Sequence, residues 1–369
     1  MKLRVHYLKR QATFSDTDKI IESLKGAGLL SAVEIELQAT NGATSCKNHE
    51  IHDDVSKVEI VDGAEVLESL RMIEWRGLNF YELGKMPRAT FNEGGGSVQK
   101  ESIMILFGRY LGDPEYYFDP SKFDNPQLIV DVALTISTTA GFASGSGKIT
   151  IKLYIIEEGA LPCKGFIMRK EKYNFETAGA GDEYIDLPCD HPYNAIAFSA
   201  IYSGYRPDEI ISKVKLSFDD DEYIPVNIYT EDIVDRLRMI YGLAEQKKRI
   251  LAADGGSNLT DIYNILFADA FCETQHNIAQ VRSVDAEKVT LDVYDFSNLS
   301  SLAYQSSDQP VNLLAKGLCP HGLVVVTPQR INDFGNLLDV KNRRKLQLIL
   351  SQAQSGANVR VVISQVKSY

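Results

Sequence analysis

The feature that most limits how this chain can fold is a strict two-residue alternation of apolar and polar side chains, repeated in segment after segment. In 126–136, Leu128, Val130, Val132, Leu134 and Ile136 share one face, with Asp131 and Thr135 on the other. In 148–155, Ile149, Ile151, Leu153 and Ile155 alternate with Lys148, Thr150, Lys152 and Tyr154. Val33, Ile35 and Leu37 alternate with Glu34, Glu36 and Gln38, and Val214, Leu216 and Phe218 with Lys213, Lys215 and Ser217. Val289, Leu291 and Val293 repeat the pattern, and an apolar strand over 359–366 closes the chain. A period of two belongs to strands with one buried and one wet face, which suits antiparallel sandwiches rather than parallel sheets covered on both sides. Fewer segments read as helices: 16–24 behind a cap at Ser15, 64–81, 230–252, 257–272 and 332–354. The chain is therefore expected to be mainly β with helical insertions.

A length of 369 residues leaves room for about two domains, and an internal echo suggests how they relate. Ser56-Lys57-Val58-Glu59-Ile60 leads through Asp62-Gly63 to Leu70-Arg71-Met72-Ile73, and Ser212-Lys213-Val214-Lys215-Leu216 leads through Asp219-Asp220-Asp221 to Leu237-Arg238-Met239-Ile240. Coincidence is the competing explanation of two such short matches. Their common order favours two related β domains, 1–162 and 163–369, parted where Glu157-Glu158-Gly159 and Leu161-Pro162 follow a finished strand. A hydrophobic content of 44% supplies two cores, and 39 basic against 50 acidic residues give a net charge of −11. That balance disfavours a surface that wraps nucleic acid. No apolar run reaches the roughly 18 residues of a membrane span, and the first ten residues lack the apolar stretch of a secretory signal. Five scattered cysteines (Cys46, Cys163, Cys189, Cys272 and Cys319) read as free thiols.

No segment offers a complete catalytic constellation. Cys46, His49, His52, Asp53 and Asp54 are zinc-type donors, yet their spacing matches no standard finger, and an exposed polar loop between strands is the better reading. Cys189-Asp190-His191 and Cys319-Pro320-His321 lack a third orienting group and read as structural turns. Gly141–Thr150 imitates a phosphate loop but runs into a strand where such a loop must open a helix. Gly94-Gly95-Gly96 is a plain loop, and Asp219–Glu222 a hairpin turn without the spaced ligands of a calcium loop. The aromatic run Tyr116-Tyr117-Phe118, with Tyr110 and Phe123, suits a subunit contact, and Trp75 a core or interface anchor. A metal-dependent jelly-roll enzyme needs clustered histidines, which His6, His49, His52, His191, His276 and His321 do not provide. The expectation is no enzyme, no cofactor, and no catalytic or metal residue. Lys2, Arg4, Lys9 and Arg10 place four cations in an otherwise acidic chain. They read either as the polar face of an opening strand or as groups facing a membrane or genome.

Three stretches carry a resemblance: Val55–Leu70, Phe107–Asp119 and Leu187–Ile196, followed by Ser212–Phe218. Together they resemble the double jelly-roll major capsid proteins of icosahedral viruses, the lineage of tailless membrane-containing phages and the adenovirus hexon. The resemblance implies two tandem eight-stranded antiparallel jelly-roll sandwiches. It also implies homotrimers that tile as pseudo-hexagons beside neighbouring capsomers, with minor capsid proteins and an internal lipid membrane as further partners. No sequence-specific nucleic-acid binding is implied, and the protein is placed in the virion after synthesis in the host cytoplasm. No apolar anchoring helix stands at either end, so only surface contact with lipid is expected. A spike or penton, or a carbohydrate-binding sandwich, is the alternative with the same architecture.

Overall fold

The computed structural model describes residues 1–47, 49–202, 205–252 and 309–369, and between them the backbone of strands 259–263, 266–274, 278–285 and 288–294. Sixteen strands form the frame. The first eight are β1 (Lys2–Thr13), β2 (Thr17–Ser23), β3 (Leu29–Cys46), β4 (Val55–Asp62), β5 (Glu65–Leu70), β6 (Val98–Leu106), β7 (Pro126–Ala133) and β8 (Lys148–Glu158). The second eight are β9 (Phe166–Ala178), β10 (Asp182–Leu187), β11 (Tyr193–Ile201), β12 (Ile211–Phe218), β13 (Tyr223–Tyr229), β14 (Leu323–Val325), β15 (Leu346–Gln352) and β16 (Ser355–Lys367). Neighbours in the first set run β1-β8-β3-β6 in one sheet and β2-β7-β4-β5 in the other. The second set repeats this order as β9-β16-β11-β14 and β10-β15-β12-β13. This is jelly-roll topology, twice.

Finer features repeat as well. Val58 lies opposite Leu70 across β4–β5, as Val214 lies opposite Ile228 across β12–β13. The first strand of each set bulges at the same place, after Tyr7 (opposite Lys152) and after Glu171 (opposite Val362). The third strands bulge between Leu30 and Ala32 and between Tyr193 and Ala195. Leu30 also bridges Phe118 just as Tyr193 bridges Leu338. A bulge is a backbone device that persists while side chains change, so these coincidences mark common architecture under dissimilar sequence. The echo is thus half meaningful. Ser56–Ile60 and Ser212–Leu216 occupy equivalent strands, but Leu70-Arg71 ends a strand whereas Leu237–Ile240 sit within a helix.

The helices need correction. Two twelve-residue helices, α1 (Met72–Leu83) and α2 (Thr230–Tyr241), each follow the fifth strand of their set. The helix expected over 64–81 is β5 and then α1, and the one over 230–252 is α2 and then strand Ala244–Ala252. Segment 16–24 is β2, because Ile20 points inward while its neighbour Ile21 is exposed, an alternation that pairs with β7. Segment 332–354 holds a short turn (Phe334–Asn336) and β15, with Asn332 and Asn342 in left-handed conformations that interrupt a helix. The helix expected over 257–272 falls partly outside the described residues, and the described parts are strands Leu259–Tyr263 and Leu266–Thr274. His276 and the side chain of Cys272 also lie outside them, while Cys46, Cys163, Cys189 and Cys319 are free thiols.

Two parallel pairings fuse the halves. β5 pairs with β9 at Ser69 and Lys170, giving one eight-stranded sheet. Strand Ala89–Asn92 pairs with Ala244–Ala252 at Phe91–Lys248 and Asn92–Arg249. Between these joints lies α1. Its Gly77 touches the second half so closely that a Cβ would meet the Pro320 carbonyl oxygen at 2.9 Å and Leu323 Cβ at 3.1 Å. Gly77→Val should therefore cost about 1–3 kcal/mol through overpacking, read as a lower urea midpoint. An unchanged midpoint would mean that the helix is not clamped.

Candidate functional site at the seam

Every residue of α1 from Met72 to Tyr81 is buried, including Glu74, Arg76 and Asn79. A helix buried all round is normally apolar all round, and each polar group here must find a partner. Asn79 clips onto β6, donating to the Met104 carbonyl at 2.7 Å and accepting from its N–H at 2.8 Å. Tyr81 donates to the Leu323 carbonyl of the second jelly roll at 2.7 Å. Arg169 of β9 reaches back across the seam, donating to Glu82 at 2.6 Å and to Glu68 of β5 at 3.1 Å. Its guanidinium lies 5.5 Å from the Trp75 ring centre. Burial pushes the Glu68 carboxyl up to about 8 and raises Glu82 too, against the pull of Arg169 on both. One guanidinium thus serves two buried carboxyls.

A second cluster gathers around Arg76 of the same helix. Glu50 precedes the short turn Ile51–Asp54, which Asp53 closes by accepting from the Glu50 N–H at 3.0 Å. Lys248 pairs with Glu50, and Gln246 donates to the same carboxylate at 3.1 Å. His52 Nδ1 meets Glu101 Oε2 of β6 at 2.8 Å and stands 3.8 Å from Glu50. Arg76 lies 3.5 Å from Glu101 and donates to the Ser102 carbonyl. The His321 ring packs edge-on against His52 with centres 4.8 Å apart. All seven side chains are at most 4% exposed. Glu50, His52, Arg76 and Glu101 come from the first jelly roll; Gln246, Lys248 and His321 come from the second.

The electrostatics follow from this packing. Burial alone would lower His52, but Glu101, Asp53 and Glu50 raise it to about 9. Burial also works against Glu50, yet Lys248, His52 and Arg76 hold its carboxyl well below the usual range. His321 is driven the other way, by burial and then by the positive His52 and Arg76 beside it. Donor atoms of Glu50, His52 and Glu101 lie within 4.8 Å of one another, which resembles a divalent-cation shell. Lys248 and Arg76 already supply positive charge to both carboxylates, so a metal ion would enter against like charge. The cluster's chemistry is ionic cross-linking of the two jelly rolls.

The sequence reading missed this cluster. The segment around His52 is not an exposed loop, since Cys46, His52 and Asp54 are buried. Glu101 and Lys248 enter from strands far away in sequence, and the legible signal was polar residues at inward positions: Gln99 and Glu101 ahead of Ile103, Gln246 and Lys248 after Ala244. Among the described residues, burial disfavours the thiolate form of the cysteines, Cys163 included. Burial pushes Cys46 and Cys319 up to about 12 and raises Cys189. Gly145 is a hairpin tip held by Asp16, and Asp219–Asp221 form a left-handed turn in which Asp219 accepts from the Arg344 and Lys345 N–H groups. Of the aromatic run, Tyr117 and Phe118 are buried, Tyr116 and Phe123 are half-buried, and Tyr110 is exposed. Phe118 stacks on Phe107 and Phe123 within 4.9 Å and meets Phe166 edge-on at 5.2 Å. On β1, Lys2 and Arg4 pair with Glu157 (3.5 and 2.9 Å) and Lys9 with Glu22 (2.6 Å), while Arg10 lies 5.7 Å from the Tyr7 ring.

Lys248→Met should cost about 3–5 kcal/mol by stripping Glu50 of its ammonium, and adding Glu50→Gln should restore part of it; chemical denaturation checks both. The two histidines set opposite pH limbs. His52 stays protonated in the fold up to about pH 9 against 6.5 unfolded, so its contribution is whole below 6.5 and fades as pH rises through 9. His321 is held neutral while the unfolded chain takes up a proton, so stability falls as pH drops below its ordinary 6.5. His321→Phe should flatten the limb between about pH 6.5 and 5.5, measured as urea midpoint against pH.

Neither a scan of protein-family models nor a search of curated proteins finds a match. Solved structures do match, over the whole chain. The STIV MCP aligns with a TM-score of 0.59 at 9% identity, covering 99% of this chain and 97% of its own. The major capsid protein P2 from bacteriophage PM2 aligns at 0.54 and 9%, covering 100% and 98%. PBCV-1 VP54 aligns at 0.52 and 10%, covering 99% and 93%. The chain has the double jelly-roll fold that these proteins share.

Proposed function

We propose that this protein is a viral major capsid protein, two jelly rolls (1–162 and 163–369) acting through shape and self-association rather than turnover. The observation that carries the reading is end-to-end correspondence: the fold covers 97% and 98% of the STIV and PM2 capsid chains. The ionic seam supports it, because a tile must present fixed edges. In this reading three copies form a pseudo-hexagonal capsomer that meets neighbouring capsomers and minor capsid proteins in the virion. Synthesis in the host cytoplasm suits the free thiols. Among the described residues no helix is long and apolar enough to cross a membrane. Three of the four β1 cations already pair with acids of the same chain, so this reading assigns β1 to a protein neighbour rather than to lipid or genome.

Light scattering and negative-stain electron microscopy of the purified chain test this. The expected result is a threefold particle with a hexagon-like outline. A chain that stays monomeric at high concentration would refute the reading.

A further inference from the structure

Resting on that capsid reading, we propose which edges meet: neighbouring copies join head to tail through the parallel strand pairing that already fuses the two jelly rolls of one chain. β13 of one copy lies against β1 of the next, with Asn227 opposite His6.

Four observations carry this. First, both strands end their sheets. β1 closes one end of its sheet and β13 one end of the four-stranded sheet, so each presents an open row of backbone donors and acceptors. Second, these are the edges that the internal joint uses. Within the chain the fifth strand of the first jelly roll (β5) pairs with the first strand of the second (β9). The remaining edges of the same kind are the fifth strand of the second jelly roll (β13) and the first strand of the first (β1). The repeated registers translate the joint residue by residue. Ser69 lies opposite Glu59 as Asn227 lies opposite Lys215, and Lys170 lies opposite Ile363 as His6 lies opposite Leu153. The Ser69–Lys170 contact therefore becomes Asn227–His6.

Third, the lone chain leaves apolar surface on these two strands: Val5 and Tyr7 are 51% and 47% exposed on β1, and Tyr223 and Tyr229 are 49% and 61% exposed on β13. The helices agree. α1 is swallowed by the second jelly roll, and its tenth residue, Tyr81, is 2% exposed; the tenth residue of α2, Met239, is 81% exposed. What covers α1 is the second jelly roll, and among the described residues no sandwich lies over the outer face of α2. Fourth, charge matches along the parallel register. Exposed Glu222 precedes β13 and exposed Glu231 and Asp232 follow it. Against Glu231 and Asp232 falls exposed Arg10 towards the end of β1, while Glu222 falls beside the group Lys2, Arg4 and Glu157. A head-to-tail interface of this kind closes into a ring or runs on as a filament, and the ring is the capsomer.

Cysteine cross-linking tests the joint in the full-length chain. Strands pair at about 4.8 Å, a separation that a disulfide spans. The double variant His6→Cys with Asn227→Cys should, on mild oxidation, give covalent dimers and trimers on a denaturing gel. Each single variant, which retains the five native cysteines, should not. Tyr229→Asp, at an exposed position that the fold tolerates, should weaken association at least tenfold by sedimentation without lowering the unfolding midpoint. Oligomers that form without this cross-link would overturn the proposed joint while leaving the capsid reading standing. A chain that never associates would remove both.

Discussion

The structure depends on burying a charged helix between two sandwiches. α1 carries Glu74, Arg76, Asn79 and Glu82 into the seam: Asn79 is hydrogen-bonded to β6 and Glu82 to Arg169, Arg76 lies against Glu101, and Glu74 has Arg360 of β16 at 3.8 Å. An isolated first jelly roll would expose this helix and lose the Arg169 that serves Glu68 and Glu82. The Lys248–Glu50 pair makes the same demand from the other side. Replacing such pairs with apolar residues often costs nothing in stability, but breaking one partner costs a great deal. Their presence fits a role in fixing geometry: apolar surfaces can slide, whereas a guanidinium between two carboxylates has one register. For a tile whose edges must match copies of themselves, that restriction is the useful property.

Repetition gives the second level of order. The halves share strand order, register and bulges, yet their surfaces differ because their neighbours do. The helix after β5 is enclosed and can carry ions, while the helix after β13 keeps Ile233, Val234 and Leu237 inward and leaves its other face polar around Met239. One topology thus produces a covered joint inside the chain and an open one at its end.

Much of the fold was legible in the sequence because a strand with one wet face writes its period directly. β3, β7, β8 and β12 all show it. The errors arose where two periods compete over a short span. Ile20-Ile21 satisfies a helical stripe as well as a strand, and only pairing with β7 decides between them. In 332–354, Leu337, Leu338, Leu346 and Ile349 suggest a helix, whereas Leu346, Leu348 and Leu350, all at 0% exposure, follow the period of a strand. The seam was hardest to see. Glu50, His52 and Glu101 become a cluster only after β3, β6 and the turn before β4 are assembled, and Lys248 arrives from some two hundred residues away. A buried charge is announced in sequence only as a polar residue at an inward position, which resembles noise until its partner is known.

The central claim, that the seam makes two jelly rolls into one rigid unit, is tested most directly by unfolding followed with two probes. Trp75 is the chain's single tryptophan and lies within α1, against Arg169. Its fluorescence therefore reports the seam, while far-ultraviolet circular dichroism reports the sheets of both halves. The account predicts one cooperative urea transition with coincident curves. Fluorescence that changes well before the sheets melt would show the jelly rolls parting as independent domains, and would contradict it.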